Sequence, residues 1–420
     1  MSETALPDGS RISAQDYNPF LPEVRQDPYP YYEALRRERP VAQAIGMPIY
    51  TVTRYDDVLY ILQNPEIFSS TALSALTQGG SGLAPNDGAL ADHRIFRSSL
   101  LIATDPPDHG PLRKLVNRGF TPRRISELEP RLRVLANELL DPIVGRGKMD
   151  LVPEFAIPFP VMVISELLGV ESGMRDQFKE WSDAIVLGIS DTTGKYTKES
   201  IRRSADEMCD YIERIVVARR EKPQDDLISV LMQAEDGKAL SVDEVITFTV
   251  LLLIAGNETT TNLIGNAMVQ LTRHPDQLAE VVANFSLIPG MLEEAVRHQS
   301  PIQGIPRKAM REVELAGTTI PKDAMLMVMF GSANRDASQF PDPDRFDIHR
   351  NTQGHLGFGH GIHFCLGAAL ARLEAKVAYE ALLSKCGNLS LDLEEIPMVD
   401  SMLLRGPRSV PISFTPLSGT

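Results

Sequence analysis

The sequence predicts a mostly helical chain carrying a little β-sheet, and three observations lead there. Long segments repeat apolar residues at the helical period, strand-like runs are short and scattered, and no Gly/Ser- or Pro-rich linker divides the 420 residues. The fold class is therefore mainly α with small β-sheets. Length alone suggests two or three domains. Without a linker or an internal repeat, residues 1–420 read as a single domain, with 1–16 a flexible N-terminal tail.

Taken in order, "YPYYEALRRER" (29–39) and "YDDVLYILQN" (55–64) read as short helices with the strand-like "PIYTVT" (48–53) between them. "TQGGSGLAPNDGALAD" (77–92) and "GISDTTGKYTK" (188–198) read as loops, the first long enough to suggest function. "ESIRRSADEMCDYIERIVVARREK" (199–222) is a long helix with a charged face. A longer one spans 241–271, with Ser241 as N-cap and Glu244 three residues on. Strands are expected at 312–320, 324–330 and 410–414.

Composition narrows the function classes. The N-terminal "MSETALPDGS" has no basic and apolar signal pattern. The longest apolar run, "VLLLIAG" (250–256), is too short to span a bilayer, so no membrane anchor is expected. Three cysteines, Cys209, Cys365 and Cys386, make a disulfide framework improbable and point to the cytoplasm. The balance of 42 basic and 56 acidic residues, a net charge of −14, argues against nucleic-acid binding.

Cys365 stands in "GFGHGIHFCLGAALARLEAKV" (357–377), between a glycine-rich loop and a helix. The dinucleotide fingerprint fails, because Ile362 occupies its third glycine. A zinc site from His360, His363 and Cys365 lacks a recognisable fourth ligand. A nucleophilic thiolate at the helix N-terminus and a plain buried cysteine also stand open. Gly359, Gly361 and Gly367 let the backbone turn tightly and approach something flat. A lone thiolate on such a loop suits an axial haem ligand better than zinc.

The run Phe358-Gly-His-Gly361-Ile-His363-Phe-Cys365-Leu-Gly367 resembles the signature of the cytochrome P450 family. The resemblance implies a triangular fold enclosing haem b (iron protoporphyrin IX), with Cys365 the proximal ligand of its iron. Phe358 and Gly359 would lie beside the sulfur and His363 near a propionate.

"LLLIAGNETTTN" (251–262) interrupts an apolar helix with a carboxylate and threonines. One reading has the threonines bonding back to carbonyls and Glu258 reaching solvent at a kink. In the other, Leu252, Ala255, Gly256 and Thr259 share one face, the small Ala-Gly pair leaves room for a ligand, and Thr259 bonds the Ala255 carbonyl. Ala255-Gly256-Asn257-Glu258-Thr259 resembles the family's oxygen-activation motif. That implies hydrogen bonding to dioxygen by Thr259 and proton relay by Glu258.

Further residues follow the same resemblance. Glu294 and Arg297, with Arg345, match a structural Glu–Arg–Arg cluster that braces the cysteine loop. His109 and Arg113, four apart on one helix face, match a propionate-binding pair, joined by Arg307 and His355. Arg113, Lys114, Arg118, Arg123 and Arg124, with Arg372 and Lys376, form a positive patch expected to dock an acidic electron carrier. Pocket walls are expected from Leu73–Leu101, from Val186 and Ile189, from Leu251, Leu252 and Ala255, from Ile302 and Ile305, and from Met402 and Leu403. Their apolar character suggests a lipophilic substrate.

The resemblance thus implies a monomeric monooxygenase using dioxygen and electrons from a ferredoxin or flavodoxin with its reductase. A peroxide-driven peroxygenase and a non-catalytic haem carrier or sensor are the rivals. Glu258 and Thr259 argue against the first, and the oxygen motif with its apolar pocket against the second.

Overall fold

Helices carry the architecture, edged among the described residues by three small sheets. The computed structural model describes residues 11–43, 49–73, 88–90, 92–96, 98, 100–186, 194–233 and 240–417. The helices that position the site are α1 (Tyr29–Glu38), α2 (Tyr55–Gln63), α3 (His109–Asn117), α4 (Pro158–Leu167), α5 (Lys198–Glu221), α6 (Val242–Arg273), α7 (Ile288–His298) and α8 (Ala368–Lys385).

The central helix α6 begins as its sequence predicts. Ser241 Oγ accepts from the Glu244 N–H at 3.2 Å while a Glu244 carboxylate oxygen accepts from the Ser241 N–H at 2.7 Å, a complete capping box. Apolar residues on its other faces, among them Val245, Ile246, Leu263, Ile264 and Ala267, are buried in the main core. Burial of that kind stabilises by about 25 cal/mol per Å² removed from water, which is what holds a helix this long in the middle of the molecule. Tyr379 Oη of α8 donates to the Ile264 carbonyl at 2.8 Å, locking α8 to α6.

The largest sheet contains β1 (Val41–Gln43), β2 (Ile49–Val52), β3 (Phe68–Ser69), β5 (Ile305–Ala309) and β8 (Met325–Val328) in the order β1-β2-β8-β5-β3. Only β2–β8 is a parallel pair. A second sheet runs β4 (Lys148–Asp150), β10 (Pro411–Pro416), β9 (Cys386–Leu391).

Two expectations change here. Residues 312–320 form not one strand but a hairpin, β6 (Val313–Leu315) against β7 (Thr318–Ile320). Its turn puts Ala316 at φ 48° and Gly317 at φ 76°, and an alanine in that conformation gives no sequence signal. Residues 11–16, expected in the tail, pack instead: Ile12 and Ala14 are buried, and the Ala14 N–H donates to Glu38 at 2.9 Å.

Candidate active site

The loop that presents Cys365 is held by its own backbone. The Cys365 N–H donates to the Phe358 carbonyl at 2.9 Å, closing the loop, and Gly359 N–H donates to Leu356 O at 2.9 Å. Gly361 has φ 68°, and a Cβ there would stand 2.7 Å from the Leu62 carbonyl oxygen of α2. No side chain fits that position. Gly367, by contrast, faces open space, with nothing within 4 Å of where a Cβ would be.

Cys365 is exposed. Yet burial raises its thiol pKa, opposed by the Gly367 N–H, Arg113 and Arg372. Exposure and burial agree only if the sulfur is walled by protein and faces a hollow. A thiol raised in this way is protonated at neutral pH, so it is a poor free nucleophile and needs a bound cation to become a thiolate. The zinc reading also falls: among the described residues no three His, Cys, Asp or Glu side chains come together for a metal. His360 instead points outward to Gln63.

On α6, Ala255 is exposed at mid-helix while Leu253 and Asn257 on other faces are buried, and Leu251, Leu252, Glu258 and Thr259 are half-buried. One face of the helix therefore looks into open space. Thr259 Oγ1 donates to the Ala255 carbonyl at 2.6 Å, as the spacing predicts. Burial lifts the Glu258 carboxyl to a pKa of about 7. Gly256 departs from the expectation. A Cβ there would meet Ile164 Cδ1 of α4 at 3.1 Å, so Gly256 admits a neighbouring helix rather than widening the open face.

Beside the cysteine loop lies a group of cationic and imidazole side chains, His109 and Arg307 buried, His363 and Arg113 half-buried. His109 at the start of α3 and His363 stack edge-to-face, centroids 4.4 Å apart. His363 Nε2 bonds Ser70 Oγ at 2.9 Å. Burial, then Arg307 and His109, push the His363 pKa down to about 3. Burial and Arg113 lower His109 as well. Strand β5 carries Arg307, and its pairing with β3 sets Lys308 opposite Ser69, bringing the Ser69–Ser70 corner alongside. Among the described residues buried Arg307 donates only to the Pro306 carbonyl, at 2.9 Å, and burial lowers its pKa to about 10. Buried His109 Nε2 has no partner among the described residues. Buried donors left this way are costly unless an anion completes them. Two carboxylates at the rim of a flat cofactor supply that. The residues present fit haem: an axial thiol, an open Gly367, and unsatisfied donors where propionates would sit.

Arg113 adjoins the same group, donating to the Phe364 carbonyl at 2.8 Å. His355 does not join it. Its Nε2 meets Glu293 Oε2 at 2.9 Å, on the side of the loop where Glu293 also binds Arg372. Burial alone would raise Glu293, but the Arg372 and His355 hydrogen bonds carry it down to about 2.

The Glu–Arg–Arg cluster is also corrected in one member. Arg297 is fully buried and forms a two-pronged pair with Glu294 at 2.6 and 2.7 Å. Its third member is Arg350, whose Nε reaches Glu294 Oε1 at 3.2 Å. Arg345 has a side chain 64% exposed, pairs with Asp347, and offers only its carbonyl to the cluster. Asp342, at φ 49°, helps turn the chain so that the second arginine of "FPDPDRFDIHR" comes back. From Arg297 the network reaches the cysteine loop: Arg297 donates to the Asn334 carbonyl, and Asn334 Oδ1 accepts from the Leu356 N–H at 2.6 Å.

The expected positive patch is largely compensated. Arg123 pairs with Glu127, Arg124 with Asp225, Arg372 with Glu293 and Lys376 with Glu129. Of the pocket residues, Ile302 bridges to Leu404, and the Leu403 carbonyl accepts from Gln303 N–H at 2.7 Å. Ile302, Ile305, Met402 and Leu403 are all half-buried, as wall residues are. Most of the 77–92 loop, and Ile189, lie outside the described residues. Ser70, Glu293 and Arg350 were missed by sequence reasoning. Glu293 had a readable signal, standing beside Glu294 three residues before Val296 on an amphipathic helix, whereas Ser70 had none.

Comparison with known proteins bears on the same site. The family model described as Cytochrome P450 matches residues 42–414. The Vitamin D(3) 25-hydroxylase of Pseudonocardia autotrophica is 40% identical over 94% of this chain and 95% of that protein. The structure of CYP109Q5 from Chondromyces apiculatus superposes with a TM-score of 0.88 at 42% identity, covering 97% of this chain and all (100%) of that one. CYP109E1 from Bacillus megaterium in complex with testosterone gives a TM-score of 0.81 at 35% identity, covering 92% and 99%. No described helix is long and apolar enough to cross a membrane.

Proposed function

The chain belongs to the cytochrome P450 family, and from that premise we propose which of its residues hold the cofactor, move protons and bind substrate. It is a haem-dependent monooxygenase that hydroxylates or epoxidises a small molecule. Haem b, when bound, supplies the iron chemistry that activates dioxygen, one oxygen atom entering the substrate and the other leaving as water.

The protein's own part divides between two walls. Cys365 Sγ would hold the haem iron as a thiolate, its negative charge stabilised by the Gly367 N–H and by Arg113 and Arg372. His109, Arg113, Arg307 and His363 would take the propionates, which answers a His109 Nε2 without a partner among the described residues and the buried Arg307 guanidinium. That pairing of unsatisfied donors with a hollow-facing cysteine is the observation that carries the reading.

Opposite, Glu258 stores a proton at its buried carboxyl, and Thr259 Oγ1 passes it into the hollow. Thr259 Oγ1 already donates to Ala255 O, which leaves its lone pairs free to accept a proton before it donates again. Leu251, Leu252, Ile302, Ile305, Met402 and Leu403 bind the substrate and exclude water. Their lack of charge selects a neutral, lipophilic molecule. Steroid-like ring systems are the first class to try, since one similar protein is named a Vitamin D(3) 25-hydroxylase and another is seen in complex with testosterone. Electrons come from a ferredoxin or flavodoxin with its reductase, and the enzyme acts as a monomer in the cytoplasm.

The test supplies the enzyme with ferredoxin, reductase, NADPH and isotopically labelled dioxygen, over a panel of sterols. A product carrying one labelled oxygen atom is expected. Product without label, or formed equally well from peroxide alone, would contradict the assignment.

A further inference from the structure

Glu293, His355 and Arg372 meet behind the cysteine loop. Glu293 Oε1 accepts from Arg372 Nε at 2.6 Å, and Glu293 Oε2 accepts from Arg372 Nη2 and from His355, each at 2.9 Å. His355 Nδ1 accepts from the Gly357 N–H at 3.2 Å, which puts the ring proton on Nε2 and makes the imidazole a neutral donor to Glu293. The Arg372 guanidinium lies over the Phe358 ring, 4.3 Å from its centroid, and His355 packs beside the same ring at 5.9 Å. Phe358 in turn accepts the Cys365 N–H. One carboxylate on α7 therefore gathers a cation from α8 and an imidazole from the start of the loop, with the aromatic ring against them.

The arrangement is more than a brace, because charge is involved. Arg372 stands seven residues after Cys365, two helical turns along α8, and its charge is felt at the sulfur. Left alone it would draw electron density from a thiolate and favour electron gain at the neighbouring haem. The bidentate Glu293 carboxylate opposes that field while holding the guanidinium on Phe358.

We propose that Glu293 and Arg372 are positioning residues that set the reduction potential of the haem at Cys365 through their mutual charge compensation, with His355 fixing the carboxylate's orientation. The inference rests on the haem–thiolate reading above.

Potentiometric titration of the haem-loaded protein tests it, alongside the carbon monoxide difference spectrum of each variant. Glu293→Gln keeps the carboxamide's acceptor but leaves Arg372 uncompensated, so the potential rises. Arg372→Gln leaves the carboxylate uncompensated, so the potential falls. The double variant returns close to the native value, and Arg372→Lys, which keeps the charge but not the planar stack, stays near native too. Single variants that shift in the same direction, or not at all, would overturn the proposal, as would Arg372→Lys behaving like Arg372→Gln. A native protein lacking the red-shifted thiolate band would show instead that the haem–thiolate reading had failed, before any variant was made.

Discussion

The cysteine wall and the α6 wall of the site are built differently. Behind the Cys365 loop, away from the hollow, the polar groups are paired with one another: Phe358 O with Cys365 N–H, Glu293 with His355 and Arg372, Glu294 with Arg297 and Arg350, Asn334 with Leu356 N–H. On α6 the reverse holds. The Glu258 carboxyl is desolvated, Thr259 Oγ1 bonds back to the Ala255 carbonyl of its own helix, and Ala255 faces open space. A ligand to a metal must be held in one geometry, so its surroundings are over-determined. Proton transfer needs groups that exchange partners, so that wall keeps hydrogen-bonding capacity in reserve.

The contrast can be broken from either side. The largest effect is expected from the paired wall. Glu294→Gln leaves Arg297 buried and uncompensated, and by analogy with other broken buried pairs should cost about 3–5 kcal/mol in denaturant unfolding. Arg345→Ala, on the exposed arginine of the same segment, should stay within about 0.5 kcal/mol. Equal losses in the two variants would mean that Arg345, not Arg350, completes the cluster.

Across the hollow, Thr259→Ala should leave the fold intact while product formation drops by about 100-fold. NADPH oxidation continues in that variant, and the electrons appear as peroxide. Undiminished product per NADPH would remove Thr259 from the proton path.

A smaller effect concerns pH. A carboxyl with a pKa of about 7 is protonated below that value and ionised above it. Product per NADPH should therefore hold at low pH and decline as pH rises through about 7. Glu258→Gln, which has no such proton, should flatten the profile. A decline that persists unchanged in that variant would assign the titration to another group.

The two walls were not equally legible in the sequence. Helix α6 could be read residue by residue, because its capping box, its period and the Thr259–Ala255 bond all follow from spacing along one helix. Cys365 could be read because its loop demands glycines at fixed positions. What failed depended on distant chain. Arg345 and Arg350 look alike in "FPDPDRFDIHR", and only the path of the turn from Asp342 decides which one reaches Glu294. His355 and His363 are both histidines near the cysteine, yet one faces Glu293 and the other Ser70, whose place depends on the β3–β5 register. Gly256 was assigned to the wrong face because its neighbour, Ile164, lies on another helix.

The central claim is that Cys365, in this hollow, is the thiolate ligand of a haem, and the dithionite-reduced protein with and without carbon monoxide tests it most directly. The native protein should give the strongly red-shifted Soret band of a thiolate–ferrous–CO complex, and Cys365→Ser should lose it while still binding haem. A native band at the shorter wavelength of histidine- or thiol-bound haem, or a Cys365→Ser protein that keeps the red-shifted band, would contradict the account.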